Sequence, residues 1–149
     1  MEPEETPTRL RNKPSWLISK AARRSQRLIG EAMAALDGRA YHFAILAALD
    51  EFGPDSQVRI GRRCGIDQSD MHAMLRELTE QGHVSRTADP QDRRRNLITV
   101  TRSGRRRLKE LDSALSAVQD DLLKPLSATE RDSLAVLLTR VLEHADPAS

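Results

Sequence analysis

The sequence predicts a mainly α-helical fold with one small β-hairpin, and three observations carry that prediction. Apolar residues recur at helical spacing over most of the 149-residue chain, from Leu17 to Val141. The period shifts to short β-branched runs only in "HVSRT" (83–87) and "NLITVT" (96–101), on either side of "ADPQDRRR". Aromatic residues are only 3% of the chain while charged ones are 31%, a balance that suits packed helices with solvated outer faces. The length suffices for one core without covalent staples.

The elements follow in order. Proline-punctuated, acidic residues in the first dozen predict a loose arm. A helix starts near Ser15, carries Leu17, Ala21, Leu28, Ala32 and Leu36 at helical spacing, and ends at "DGR" (37–39). A second covers about 40–52, with Tyr41, Ile45, Leu49 and Phe52 on one face. The turn "GPDS" leaves Ser56 as an N-cap. In "SQVRIGRRC", Val58 and Ile60 lie near the core and "GI" breaks the helix. Asp67 then caps "QSDMHAMLRELTEQG", whose Met71, Leu75 and Leu78 face inward and which Gly82 closes. Two short helices joined by a tight glycine-containing turn read as a helix-turn-helix. Asp89-Pro90 opens the hairpin turn. Beyond it, Leu108, Leu111, Leu115, Val118 and Leu122 form a 3-4-3-4 seam that ends at Pro125, and "SATE" (127–130) is a capping box for a last helix bearing Leu134, Leu138 and Val141.

The chain divides accordingly into an N-terminal arm and helix (1–38), a helix-turn-helix with its hairpin (39–104) and two C-terminal helices (105–149). The outer helices exceed what the middle unit needs to cover itself, so their apolar stripes predict burial against a second copy, a homodimer.

Net charge is only +2, but its distribution is uneven. Nine basic residues lie between Arg86 and Lys109 against Asp89 and Asp92, whereas from Glu110 onward eight acidic residues face three basic ones. A basic middle of this kind predicts a local anion-binding surface. No apolar run reaches the length of a membrane span, and the acidic start has no signal-peptide layout, so a cytoplasmic protein without membrane association is expected. Cys64, the only cysteine, sits at an inward-looking position as a small buried hydrophobe. His42, His72, His83 and His144 lie apart, with no nucleophile–base spacing, no glycine-rich phosphate loop and no metal-ligand cluster. The expectation is a non-enzyme without cofactor or metal.

Residues 41–104 carry a resemblance. The helix-turn-helix phrase "GIDQSDMHAMLRELTEQGHVSR", the hairpin phrase "DPQDRRRN" and the following "VTRSG" resemble the MarR family of winged helix-turn-helix transcriptional regulators, in which the flanking helices dimerise. The resemblance implies a winged helix-turn-helix flanked by N- and C-terminal dimerisation helices. Its implied function is a sequence-specific regulator, a repressor, that binds a palindrome in double-stranded DNA. With Met71, Leu75 and Leu78 inward, the outer face of the recognition helix presents Gln68, Ser69, His72, Ala73 and Arg76. Glutamine pairs bidentately with adenine, arginine reaches guanine or phosphate, and an alanine methyl suits thymine. Many family members carry arginine where Ala73 stands and an acid where Arg76 stands, so base assignments are not carried over. In the wing, the family's Asp-x-Arg is met by Asp92, as a brace, and Arg94, as the minor-groove residue, with Arg93 and Arg95 meeting phosphates. Arg62, Arg63 and Arg86 are weaker phosphate candidates. Family members commonly bind small phenolic or carboxylated effectors between the dimer helices and the winged helix, where Trp16, Arg23 and His42 are the candidates here. The rival reading is a dimeric interaction module or antirepressor of the same fold.

Overall fold

The computed structural model describes residues 5–144. A short helix, α1 (Thr8–Arg11), occupies part of the expected loose arm and leads into α2 (Pro14–Ala34), whose Pro14 takes the first helical position, where no backbone N–H is needed. The chain then runs α3 (Ala40–Phe52), α4 (Gln57–Cys64), α5 (Gln68–Glu80), β1 (Val84–Asp89), β2 (Asp92–Val100), α6 (Arg102–Leu122) and α7 (Ala128–Glu143).

One core joins these elements. Ile45, Leu46 and Leu49 of α3, Ile60 of α4, Met71, Leu75 and Leu78 of α5, Ile98 of β2 and Leu111 of α6 are all fully or almost fully buried. Two expected core faces turn out differently. On α3 the buried face runs through His42, Ile45, Leu46 and Leu49, so Tyr41 and Phe52 stand exposed at its rims. On α4, eight residues make little more than two turns, and Val58 faces solvent while Ile60 and Gly61 face in. Cys64 is half-buried, its thiol donating to the Ala44 carbonyl at 3.4 Å, and burial pushes that thiol up from its ordinary pKa.

The joints of the helix-turn-helix are set locally. Ser56 accepts from the Arg59 amide and Asp67 from the Asp70 amide at 2.8 Å, so both helices begin on side-chain caps. Between them Gly65 adopts the left-handed conformation (φ 66°), which lets the chain reverse within three residues. At the far end of α5, Gly82 (φ 76°) donates to the Thr79 carbonyl and His83 to that of Leu78, a Schellman closure.

The hairpin closes through Pro90 and Gln91, with the Asp89 carboxylate accepting from the Gln91 amide at 2.9 Å. Its strands run further than the β-branched runs suggested. Register is regular from Val84↔Val100 to Ala88↔Asn96, and the next pair is Asp89↔Asp92. One step along β1 is thus matched by four along β2, and Arg93, Arg94 and Arg95 bulge out of the ladder. Backbone bonds between Asp55 and Ile98 tie the α3–α4 loop to β2.

After β2, Thr101 does two jobs. Its hydroxyl donates to the Gly82 carbonyl at 2.7 Å and accepts from the Gly104 amide at 3.0 Å, capping α6 and fastening it to the end of α5. Gly104 is buried where α6 crosses the His83 backbone, and a Cβ there would run into the His83 carbonyl oxygen. The "TRSG" spacing therefore encodes one cap and one close crossing. From there α6 packs along α2, with Leu111 and Val118 buried and Leu108, Leu115 and Leu122 half-buried. The capping box at Ser127 and Glu130 is formed, yet α7 has no buried residue, and Val136, Leu137, Val141 and Leu142 are all more than half exposed. Leu10, Leu17 and Ile18 at the other end of the chain are exposed as well. Among the described residues no helix is long and apolar enough to cross a membrane, and no group of three or more His, Cys, Asp or Glu is placed to hold a metal ion.

Candidate nucleic-acid interface

Helix α5 divides its residues among three surroundings. Met71, Met74, Leu75 and Leu78 fill the core. Gln68, Ser69, His72 and Arg76 are exposed on the opposite side, with Ala73 half-buried beside them. Asp70 and Glu77 lie on a flank. Asp70 lines a crevice with Met74 on that flank, and the neighbouring Asp67 carboxylate pushes its carboxyl up.

The exposed face of α5 and the first wing strand share one cleft. His72 and Arg76 line it from the helix and Arg86 from β1, together with Thr79 and Glu80, around a volume of about 240 Å3. Gln57, at the start of α4, bridges the same region: Arg86 donates to its Oε1 and its Nε2 donates to Gln68 Oε1, both at 3.4 Å. Sequence reasoning missed Gln57, since nothing in "DSQVR" announces partners 11 and 29 positions away.

Further out, Arg93, Arg94 and Arg95 are exposed and take part in no ion pair among the described residues. Asp92 accepts from the Arg94 amide at 3.1 Å, a short-range turn that shapes the bulge. The arginines stand on β2, in the bulge, and not in the reversing turn itself.

The weaker phosphate candidates separate. Arg62 is exposed, with no ion-pair partner among the described residues. Arg63 is occupied: its guanidinium lies 4.2 Å from the centroid of the Phe52 ring and 3.6 Å from Asp55 Oδ2. Arg86 is held by Gln57, within the cleft.

The flank of α5 away from the cleft carries a buried polar cluster. His42 is 1% exposed, its Nε2 sits 2.7 Å from Glu77 Oε2, and Arg39 Nε approaches the same oxygen at 3.1 Å. His42 Nδ1 has no hydrogen-bond partner among the described residues. Burial pushes the His42 pKa down, against the raising effect of Glu77, so the neutral ring donating from Nε2 is the form that fits. Partial burial raises the Glu77 carboxyl, but the His42 hydrogen bond and the Arg39 charge outweigh it and hold it below its ordinary value. Arg107 of α6 donates to the Leu36 carbonyl and pairs with Glu110 at 3.2 Å, fastening the α2–α3 turn to α6.

Above this cluster a crevice of about 410 Å3 opens between the end of α2, the turn into α3 and α5, lined chiefly by Met33, Gly38, Arg39, Tyr41, Asp70 and Met74. The expected effector residues are not brought together there. Trp16 lies near the start of α2 with the Lys20 ammonium 5.4 Å from its ring centroid, Arg23 is exposed on the same helix, and His42 is committed to Glu77. Arg39 is the cation that lines this crevice.

The sequence pattern of the MarR family matches residues 36–95, which span the turn after α2 through to the wing arginines. The same helices and hairpin recur in solved structures of that family over almost the whole chain. In this pattern and in its fold the chain resembles the MarR family. A probable transcriptional regulator from Pseudomonas aeruginosa is 29% identical, with 89% of this chain and 98% of that one covered and a TM-score of 0.77. BpsR from Bordetella bronchiseptica, whose DNA binding is regulated by 6-hydroxynicotinic acid, is 25% identical, with 95% and 100% covered and a TM-score of 0.80. A mutant of MarR from E. coli, complexed with operator DNA, is 27% identical, with 85% and 91% covered and a TM-score of 0.73. The solved relatives include transcriptional regulators, one of them complexed with operator DNA, and this chain shares their winged helix-turn-helix fold, which supports a DNA-binding regulator.

Proposed function

We propose that this chain is a homodimeric repressor that binds a palindromic operator, with half-sites about one helical turn apart. The observation that carries this reading is the set of exposed basic residues on two separate elements, the recognition helix and the hairpin. His72 and Arg76 of the recognition helix share a cleft with Arg86 of β1, and the hairpin continues into three arginines that no carboxylate among the described residues neutralises. Like charges so arranged repel one another, and a polyanion outside the chain removes that repulsion. An interaction module that had lost DNA binding would have no use for them.

In this reading Gln68, Ser69, His72, Ala73 and Arg76 face base edges and phosphates of the major groove. Arg94 enters the minor groove, Arg93 and Arg95 meet the flanking phosphates, and Asp92 shapes the bulge that presents them. Arg62 adds a phosphate contact; Arg63 does not. Residues 39–104 form the reading unit, while 1–38 and 105–149 build the dimer, covering the exposed apolar residues of α7 and of the α1–α2 segment with those of a second copy.

Release by a small carboxylated or phenolic ligand belongs to the same proposal, and one feature supports it. Arg39 lines the crevice and at the same time pairs with Glu77 of the recognition helix. A carboxylate that takes Arg39 loosens the hold on α5.

The test of operator binding is fluorescence anisotropy with the DNA upstream of the chain's own gene. Arg94→Ala should weaken binding by about 1–3 kcal/mol. Wild-type affinity in that variant would sink the wing assignment.

A further inference from the structure

We infer that Gln57, a residue outside the recognition helix and the wing, sets the base preference of Gln68 by fixing which end of its carboxamide is offered to DNA. The inference rests on the operator-binding reading above. It follows from the donor and acceptor chemistry of three side chains in sequence. The Arg86 guanidinium has only hydrogens to give. Its approach to Gln57 at 3.4 Å therefore requires the carbonyl oxygen of Gln57 on that side, as found. The Gln57 amide nitrogen is then turned the other way, where it meets Gln68 Oε1 at 3.4 Å. Gln68 in turn must keep its oxygen toward Gln57 and its nitrogen away from it.

The cation thus removes the two-fold ambiguity of both amides, one after the other, although Arg86 and Gln68 are not themselves bonded. A second feature holds the carboxamide in place. Gly61 of α4 is buried, and a Cβ built on it would lie 2.6 Å from Gln68 Nε2, so the carboxamide is seated over the one residue that leaves room for it. Both ends of the amide are located before any DNA arrives. Gln68 Oε1 keeps a second lone pair and Nε2 keeps a hydrogen, the acceptor–donor pair that a base edge such as adenine's N6 and N7 matches. A fixed polarity selects one order of donor and acceptor along the groove. A freely turning amide accepts both. Gln57 is in this sense a positioning residue: it sets specificity without touching the base.

Selection of bound sequences from a randomised duplex library, by the full-length wild type and by two variants, tests the inference. Gln57→Ala should relax the preference at one position of each half-site by about tenfold or more and leave the other positions unchanged. Gln57→Glu should change which base is preferred at that position. A carboxylate still accepts from Arg86 but has no hydrogen for Gln68, whose amide then turns its nitrogen inward and reverses the edge offered to the groove. Circular dichroism of each variant confirms folding. A variant that loses its fold leaves the other to decide, because the two substitutions alter the amide by different means. Wild-type preference at every position in the folded variants overturns the inference alone. Equal loss at all positions overturns it as well, since that is what a merely structural role would give. A wild-type chain that enriches no sequence overturns the operator-binding reading and this inference with it.

Discussion

Replacing His42 by Gln should flatten the acid side of the stability profile, and the structure gives the sign of the effect while linkage gives its upper bound. His42 is 1% exposed, and burial lowers its pKa despite the Glu77 carboxylate 2.7 Å away. The folded chain therefore keeps the ring neutral at a pH where the unfolded chain, near the ordinary value of 6.5, has taken up a proton. Protons bound preferentially by the unfolded state make stability fall as pH drops below that value. The slope contributed by one histidine is at most about 1.4 kcal/mol per pH unit, reached only where the unfolded ring is protonated and the folded ring is not. His83, also lowered chiefly by burial, adds in the same direction in both proteins, less so in the variant because the His42 charge is one of the smaller causes of its shift. Glu77, held below its ordinary 4.5, adds its own loss only at lower pH. Glutamine retains a donor for Glu77 and does not titrate. The assay is urea unfolding from about pH 7.5 to about pH 5 at one fixed protein concentration, since the stability of the proposed dimer would depend on concentration. The variant should show a shallower fall in stability toward the acid end, by at most ~1.4 kcal/mol per pH unit. Parallel profiles for the two proteins would refute the assignment of a neutral, buried His42.

Two further outcomes are expected. Gly104→Ala puts a Cβ against the His83 carbonyl oxygen and 2.8 Å from Val100 Cγ2, contacts that only a shift of α6 relieves. Thermal unfolding should show a loss of about 1–3 kcal/mol, and an unchanged transition would mean the crossing is looser than described. Leu137→Asp, on the exposed face of α7, should convert a dimer to monomers in sedimentation analysis while far-ultraviolet circular dichroism stays unchanged. A dimer that survives the charge would place the second copy elsewhere.

Much of the fold is legible along the chain because its signals are local. Ser56, Asp67 and Ser127 cap the helices they precede, and Gly65 and Gly82 stand where a left-handed residue is needed. The periodicity of α5 separates its core face from its outward face, since Met71, Leu75 and Leu78 recur at intervals of four and three. Where the outcome depends on packing between distant segments, the pattern fails. Tyr41 and Phe52 share a helical face with Ile45 and Leu49, but the neighbours α4, α5 and α6 cover a strip displaced toward His42 and Leu46. Hydrophobic periodicity places the strip to within about one residue's rotation, which is enough to exchange core and rim. Arginine content marks the wing, yet only the register between Ala88 and Asp92 shows that all three arginines leave the ladder together. The Gln57, Gln68 and Arg86 chain and the Arg39, Glu77 and His42 cluster each join segments far apart in sequence, and no spacing rule connects them. Trp16, Arg23 and His42, which follow from the resemblance, are not among the residues lining the crevice beside α5, whereas Arg39 is, a placement set by the packing of α2 and α3 against α5.

The salt dependence of DNA binding tests the central claim most directly. Affinity for the upstream DNA is measured against salt concentration for the wild type and for a variant with Arg93→Ala and Arg95→Ala. Each phosphate contact removed lowers the slope of log K against log salt by about 0.9. Two arginines in each of two wings should therefore reduce it by between 3 and 4 units, roughly. A variant that binds more weakly with the wild-type slope, or one that binds as tightly as the wild type, would contradict the wing as the phosphate-binding element.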